Sequence, residues 1–277
     1  MAGGQMMKAD LADARWTLDA VPYESINVAQ ARTSDDVFYL VAAASFIETA
    51  ADLYTDNLIG YFSGEPEVAA WLDGHWKPEE LRHGRVLRGY VEHVWPEFDW
   101  ALAYRGFFEE YSRACTVDEF EPTHSLEMVA RCVVETGTAT FYQALGELAC
   151  EPVLRAMAAR IRADEVGHYK YFYRFFQSCD GGRYPGRIRV LNALRRRMVE
   201  ARGDDAECAL RHVYRVRHGV DDVAARSALS ARLTASVKRH YPVGLAARML
   251  LKPLNLPPSV ARVLEGPVAR ATARIML

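Results

Sequence analysis

Apolar residues recur every three or four positions along most of the chain, which is the spacing of amphipathic helices. From Val37 onward, for example, positions 37, 40, 41, 44, 47, 51 and 58 are apolar. The pattern predicts an all-α protein with four main helices, at about 37–59, 78–94, 123–148 and 152–178. Shorter helices are predicted at about 11–18, 67–72, 104–113, 187–201, 205–217, 221–240, 244–251 and 258–275.

Breaks in this pattern divide the 277 residues into three parts. Residues 1–33 form an irregular lead-in, and Ser34 precedes two acidic residues in the manner of a helix N-cap. Residues 34–182 hold the four main helices and end at Asp180-Gly181-Gly182. Residues 183–277 form an Arg-rich helical extension.

The formal net charge is only −2, but it is unevenly distributed. Residues 183–277 contain 19 Lys and Arg against 7 Asp and Glu, whereas the rest contains 15 against 29. The basic extension could face an acidic partner, such as a carrier protein, coenzyme phosphates or a lipid surface. Alternatively, it packs on the acidic part of its own chain or of a second copy. The sequence leaves both open.

Several functional classes fit the composition poorly. No uninterrupted apolar run approaches about 18 residues, so no transmembrane segment is expected. Five scattered cysteines without a C-x-x-C motif favour reduced thiols and a cytoplasmic location over a disulfide framework or a thiolate zinc site. A nucleic-acid role is not expected, because aromatic residues and arginines do not interleave in a known binding motif.

The chemistry is concentrated in a repeated motif, a glutamate followed three residues later by a histidine. Such a pair lies on one face of a helix and can offer two ligands to one metal. The motif occurs at Glu80-Leu81-Arg82-His83 and at Glu165-Val166-Gly167-His168, and a single glutamate precedes each copy in another helix. The candidate ligands are therefore Glu48, Glu80, His83, Glu135, Glu165 and His168.

This is the ligand set of a four-helix bundle with two carboxylate-bridged metals. In such a bundle, two helices each supply one glutamate, and the other two each supply one E-x-x-H motif. Carboxylate oxygens with one imidazole per metal suit iron or manganese. Which glutamates bridge the metals cannot be read from the sequence. Glu79 and Asp164 precede the two motifs, and we expect each to contact the histidine of the opposite motif; the alternative is that both are solvated surface acids.

These motifs resemble the soluble acyl-acyl-carrier-protein desaturases of the ferritin-like superfamily, over about residues 35–178. The resemblance is carried by Trp71-x4-Trp76-x3-Glu80-Leu81-Arg82-His83-Gly84, Glu135-Thr136-Gly137-Thr138-Ala139-Thr140-Phe141 and Asp164-Glu165-x-x-His168. Leu81 stands where the family usually has Asn, and nothing beyond Gly182 matches.

The resemblance implies a ferritin-like bundle that binds two Fe ions, with a Mn/Fe pair as the alternative. It implies electrons from a ferredoxin, dioxygen activation and hydrogen abstraction from an acyl chain on an acyl carrier protein, held in a narrow apolar channel. It also implies a homodimer and a Thr138 hydroxyl that assists proton delivery, unless that hydroxyl only bonds a carbonyl one turn back. Two other functions remain open: a di-iron hydroxylase or N-oxygenase of a free small molecule, and an iron-binding or storage protein without organic substrate.

Overall fold

The computed structural model describes residues 16–114, 120–200 and 204–275, and within these ranges all regular structure is helical. The prediction of an all-α protein is confirmed. The helix predicted at 11–18 lies largely outside the described residues. In the described ranges, two 3₁₀ turns (Leu18–Ala20 and Tyr23–Ser25) and one α-helical turn (Val28–Ala31) precede twelve longer helices. They are α1 Asp35–Thr49, α2 Ala51–Tyr61, α3 Pro66–Trp71, α4 Lys77–Val94, α5 Trp100–Ala114, α6 His124–Leu148, α7 Pro152–Ser178, α8 Arg187–Glu200, α9 Asp204–His218, α10 Val223–His240, α11 Val243–Leu251 and α12 Pro258–Ile275.

Helices α1, α4, α6 and α7 pack together as a bundle. The most extensive contacts are those of α6 with α7 and of α1 with α4. In addition, α7 contacts α4, and α6 contacts α1. Local sequence fixes where two of these helices begin. The Glu151 carboxylate accepts hydrogen bonds from the backbone N–H groups of Val153 and Leu154 at the start of α7, and Pro152 occupies the first turn. Thr123 caps α6 through the N–H of Leu126.

Three local features differ from the prediction. The first main helix is interrupted at Ala50 (φ −80°, ψ −5°), so it forms α1 and α2. The sequence predicts a short helix that ends at about residue 72, but Leu72–Trp76 instead forms a π-helical turn that leads directly into α4. Ser34 has the extended backbone of an N-cap, yet its side chain makes no capping hydrogen bond.

The extension is part of the same hydrophobic core as the bundle. One cluster of buried side chains joins residues of α1, α4 and α7 to residues of α9 and α10. A second joins α6 and α7 to α8 and α11. The Tyr169 hydroxyl on α7 also donates to the Met249 carbonyl on α11 (2.6 Å). The extension therefore covers the bundle rather than forming a core of its own.

Many of the extension's basic side chains pair with acids of residues 34–182. Arg211 reaches Glu110 (2.6 Å), Arg232 reaches Asp36 (2.8 Å), and His240 lies 3.4 Å from Glu147. Arg196 and Arg217 likewise pair with Glu121 and Asp35. Packing on the acidic part of the same chain accounts for these pairs, and an acidic partner for the other basic residues of the extension stays a prediction.

The segment Asp35–Tyr61 is long and apolar enough to cross a membrane by length and composition alone. Buried core helices pass the same test, and 61% of the most apolar window is buried inside the protein. This is weak evidence for a membrane span. The absence of a transmembrane segment thus stays a prediction, as does the cytoplasmic location.

Candidate metal centre

All six candidate ligands meet inside the bundle. Glu48 comes from α1, Glu80 and His83 from α4, Glu135 from α6, and Glu165 and His168 from α7. None is more than 6% exposed to solvent. We refer to these six residues as the carboxylate–histidine cluster. Burying so many ionisable groups together costs several kcal/mol unless they are paired or bind a cation.

One half of the cluster surrounds His83. Its Nδ1 atom lies 3.2 Å from Glu165 Oε1 and 3.8 Å from both Glu48 Oε2 and Glu80 Oε2. One ligand atom from each of these four residues lies within 4.8 Å of the others. This half can hold one metal ion.

The other half surrounds His168. Its Nδ1 atom lies 3.0 Å from Glu80 Oε1, 3.5 Å from Glu135 Oε2 and 3.7 Å from Glu165 Oε2. One ligand atom from each of these four residues likewise lies within 4.8 Å of the others. Glu80 and Glu165 belong to both halves, and each turns one oxygen to each histidine. With two ions bound, this geometry would make Glu80 and Glu165 the bridging carboxylates, and Glu48 and Glu135 the terminal ones.

The atoms that face the centre of the cluster lack other partners. His83 Nδ1, His168 Nδ1, Glu135 Oε2 and Glu165 Oε1 are buried and make no hydrogen bond. Buried polar atoms are normally satisfied, so such a group calls for an explanation. Four carboxylates and two neutral imidazoles would balance the charge of two divalent cations. The donor set thus fits two metal ions.

Burial and mutual repulsion shape the protonation of the cluster. Burial, with repulsion from Glu80, raises the pKa of Glu48 to about 8, and burial raises the pKa of Glu135 well above its usual range. Burial alone would lower the pKa of His83 and His168, but interactions with the surrounding carboxylates raise the pKa of both. Protons and metal cations therefore compete for the same atoms.

The outer nitrogen of each histidine is held by an acid from the opposite motif, as expected from the sequence. His83 Nε2 lies 3.0 Å from Asp164 Oδ2, and His168 Nε2 lies 2.9 Å from Glu79 Oε2. Such contacts fix the ring orientation and leave Nδ1 directed at the centre. The contribution of the two acids to metal binding stays a prediction.

Thr138 also lies at the cluster. Its hydroxyl is 2.8 Å from Glu165 Oε2 and 3.3 Å from the carbonyls of Val134 and Glu135. The hydroxyl therefore makes the contact with the preceding turn that the alternative interpretation predicts, and it also hydrogen-bonds the Glu165 carboxylate. A role in proton delivery stays a prediction.

Sequence reasoning missed several neighbours of the cluster. Tyr142 donates a short hydrogen bond to Glu48 Oε1, although its place seven residues after Glu135 on the same helical stripe was a usable signal. Trp16 stacks on His83 with ring centroids 6.2 Å apart, and its indole N–H donates to Asp164 (2.8 Å). No pattern in the sequence links Trp16 to a motif about 150 residues away.

We expect an apolar channel beside the metals, and one cleft in the described part of the chain lies apart from that position. A cleft of about 270 Å³ is lined by Ala20, Val21, Pro22, Pro152, Val153, Ala156, Met157 and Arg160. It contains no residue of the carboxylate–histidine cluster. The channel, and the substrate it would hold, therefore stay predictions.

No protein-family model matches the chain, and no curated protein matches it. The resemblance to acyl-acyl-carrier-protein desaturases thus rests on the motif residues alone. The class supported by fold and site is a helical bundle with a buried carboxylate–histidine cluster suited to two metal ions.

Proposed function

We propose that this protein is a non-haem di-iron oxidoreductase that uses dioxygen. The observation that carries the proposal is the pair of four-residue ligand sets that share Glu80 and Glu165. Each set offers three carboxylates and one imidazole, and two ions bound in these sets would lie side by side because the sets share two carboxylates. This is the ligand arrangement of the carboxylate-bridged di-iron and di-manganese proteins.

The donor types favour iron among the common metals. Hard oxygen ligands with a single imidazole suit iron and manganese, whereas zinc and copper(I) sites commonly include thiolates. Cys132, the nearest cysteine to Glu135 along α6, belongs to neither ligand set. A Mn/Fe pair is the alternative composition, since the same ligands serve both metals.

A bound iron pair would supply redox equivalents for dioxygen, and the chain's own residues would prepare the site for this chemistry. Asp164 and Glu79 hold the two imidazoles in position. The Tyr142 hydroxyl holds one oxygen of Glu48, and the Thr138 hydroxyl holds a proton beside Glu165. Burial of all six ligands limits the access of water.

For the substrate, we propose an unactivated C–H bond in an acyl chain on a carrier protein, with a ferredoxin as electron donor. This part is supported by the three motif segments that resemble the desaturases. The Arg-rich extension is compatible with an acidic carrier, although many of its charges pair within the chain. A homodimer would follow the same resemblance.

The experiment has two stages. Metal-free protein is loaded anaerobically with Fe(II), bound iron is counted per chain, and dioxygen uptake is measured with and without acyl carrier protein substrates. Mass spectrometry then distinguishes loss of two hydrogens, which indicates desaturation, from gain of one oxygen, which indicates hydroxylation. Glu165→Gln serves as the inactive control.

We expect two irons per chain and dioxygen uptake that depends on both. Two irons with oxidation of a free small molecule instead would replace the carrier-bound substrate with the hydroxylase or N-oxygenase alternative. Two irons with uptake but no organic product from any substrate would favour iron storage. Fewer than two irons per chain would contradict the di-iron centre itself.

A further inference from the structure

A second group of metal-binding side chains lies outside the bundle centre, between α5 and α9. It consists of Glu110 on α5 and of Cys208 and His212 on α9. One ligand atom from each lies within 4.8 Å of the other two. Cys208 and His212 are four residues apart, so both face α5 from the same side of their helix.

The contacts already orient these side chains toward one point. His212 Nε2 lies 2.9 Å from Glu110 Oε2, and the Cys208 sulfur lies beside the same carboxylate. A thiol, an imidazole and a carboxylate therefore converge at a helix–helix contact.

The neighbouring residues fit a ligand role. Arg211 donates to Glu110 Oε1 at 2.6 Å, which leaves Oε2 as the oxygen that faces His212. Metal-binding carboxylates are commonly held in this way by a second partner. A Cβ on Gly106, one turn before Glu110, would come within 2.6 Å of His212 Nδ1. Because Gly106 has no side chain, the His212 imidazole can pack against α5.

We propose that Glu110, Cys208 and His212 form a separate binding site for one zinc-like divalent cation, which joins the C-terminal extension to α5. Cys, His and carboxylate ligands are those of zinc, and three protein ligands leave one position for water. This chemistry differs from that of the carboxylate–histidine cluster, which contains no sulfur. No sequence pattern marks the site, because Glu110 lies 98 residues before Cys208 in the chain.

The sulfur ligand allows the two sites to be distinguished in one protein. Cobalt(II) replaces zinc in such sites, and a thiolate ligand adds a sulfur-to-cobalt charge-transfer band in the near ultraviolet. Cobalt bound only by carboxylates and imidazoles does not show this band. The full-length metal-free protein is therefore titrated anaerobically with cobalt(II), and zinc is then added as a competitor.

We expect the wild-type protein to develop the band as cobalt(II) is added and to lose it when zinc is added. Cys208→Ser should lack the band, whereas Cys150→Ser, which changes an exposed cysteine, should retain it. Glu135→Gln should also retain the band, because it alters only the bundle centre. A band that is retained in Glu135→Gln would show that the thiolate site is separate from the proposed di-iron centre.

Glu110→Gln provides a variant in which folding is not at risk, because the Glu110 side chain is 41% exposed. We expect its cobalt affinity at the thiolate site to fall at least about tenfold, with an unchanged circular dichroism spectrum. The proposal is overturned if folded wild-type protein shows no thiolate band. Persistence of the band in Cys208→Ser, or unchanged affinity in Glu110→Gln, would equally overturn it.

Discussion

At the scale of single residues, Glu80 and Glu165 differ from the other members of the carboxylate–histidine cluster. Each presents one oxygen to His83 and the other to His168. Glu48 and Glu135 each reach only one histidine. Residues that look equivalent in the sequence therefore have different expected effects when they are substituted.

We expect Glu135→Gln to lose about one of the two metal ions and Glu165→Gln to lose both. Glutamine keeps the side-chain shape and removes the charge, so neither variant leaves a cavity. Because a buried unpaired carboxylate is costly, the metal-free Glu135→Gln protein should be at least as stable as metal-free wild type. Iron counted per chain and urea denaturation of the metal-free proteins measure the two effects.

Glu147→Gln is the matched control for these variants, since Glu147 lies on α6 with Glu135 but is 51% exposed. It should bind two irons and unfold as the wild type does. Equal iron content in Glu135→Gln, Glu165→Gln and Glu147→Gln would contradict the assignment of the ligands. Equal losses in the first two would contradict the distinction between bridging and terminal carboxylates.

A second residue-scale prediction concerns Asp164, which holds His83 Nε2 at 3.0 Å and also accepts hydrogen bonds from Trp16 and Arg82. Asp164→Asn should keep the packing but weaken the orientation and basicity of His83. We expect metal affinity to fall about 10- to 100-fold, measured by titration with Fe(II) under anaerobic conditions.

Glu79→Gln tests the same argument at His168 and should give a loss of similar size. Glu92→Gln removes a carboxylate from an exposed pair with Arg88 on α4, and should leave metal affinity unchanged. If Asp164→Asn and Glu92→Gln bind metal equally well, Asp164 is only a partner of Arg82 and Trp16.

At the scale of elements, the position of Glu48 depends on how closely α1 approaches α4. A Cβ added to Gly84 would lie 2.8 Å from the backbone N and 2.9 Å from the Cα of Thr49. Both are backbone atoms that cannot rotate away. Gly84 is therefore required for the close packing that brings Glu48 to Glu80 and His83.

We expect Gly84→Ala to destabilise the protein by about 1–3 kcal/mol, because α1 and α4 must move apart. The same movement withdraws Glu48 from the cluster, so metal affinity should also fall. Gly167→Ala is the matched control: it lies between two ligands on α7, but its added Cβ meets nothing within 4 Å. It should stabilise the helix by about 0.5–1 kcal/mol.

Urea denaturation of the metal-free variants and anaerobic metal titration measure both effects. The argument predicts opposite signs for two Gly→Ala changes that each lie beside a ligand histidine. Destabilisation of similar size in both variants would show that the close approach of α1 to α4 does not matter, and that any added methyl group near the motifs is harmful.

The sequence could predict features that depend on spacing within a single helix. The interval between Glu80 and His83 places both side chains on one face, and the same holds for Glu165 and His168. It could not predict which carboxylates bridge, because that depends on the depth and rotation of four helices relative to one another. The interruption at Ala50 has no Gly or Pro to mark it, and follows a Thr49 hydroxyl that bonds the Ser45 carbonyl.

At the scale of the whole molecule, the boundary drawn at residue 182 marks a change in charge but no break in packing. Val190, Ala193, Ala209, Val213, Ala246 and Ala247 of the extension have no exposed surface. They belong to the described fold's two apolar clusters or to α11, which packs on α6. The ion pairs between the extension and the bundle add little, since exposed pairs contribute about 0–1 kcal/mol each.

Removal of the extension should therefore unfold the bundle. Fully burying one large apolar side chain contributes about 1.5–3 kcal/mol, and domains are stable by only about 5–15 kcal/mol. The truncation removes the contacts of Val190, Leu194 and Val213 and exposes their partners in the bundle as well. The free energy lost with these contacts exceeds the free energy of unfolding of such a domain. We expect a chain shortened after Gly182 to lack a cooperative thermal transition, whereas the full chain should unfold in one transition.

A chain shortened after Leu256 is the control, because it removes only α12, whose Val260 and Val263 are exposed. This shorter chain should remain folded and bind two irons. If instead residues 1–182 fold and bind two irons, the extension is a separate accessory unit, and its basic surface must be explained by a partner.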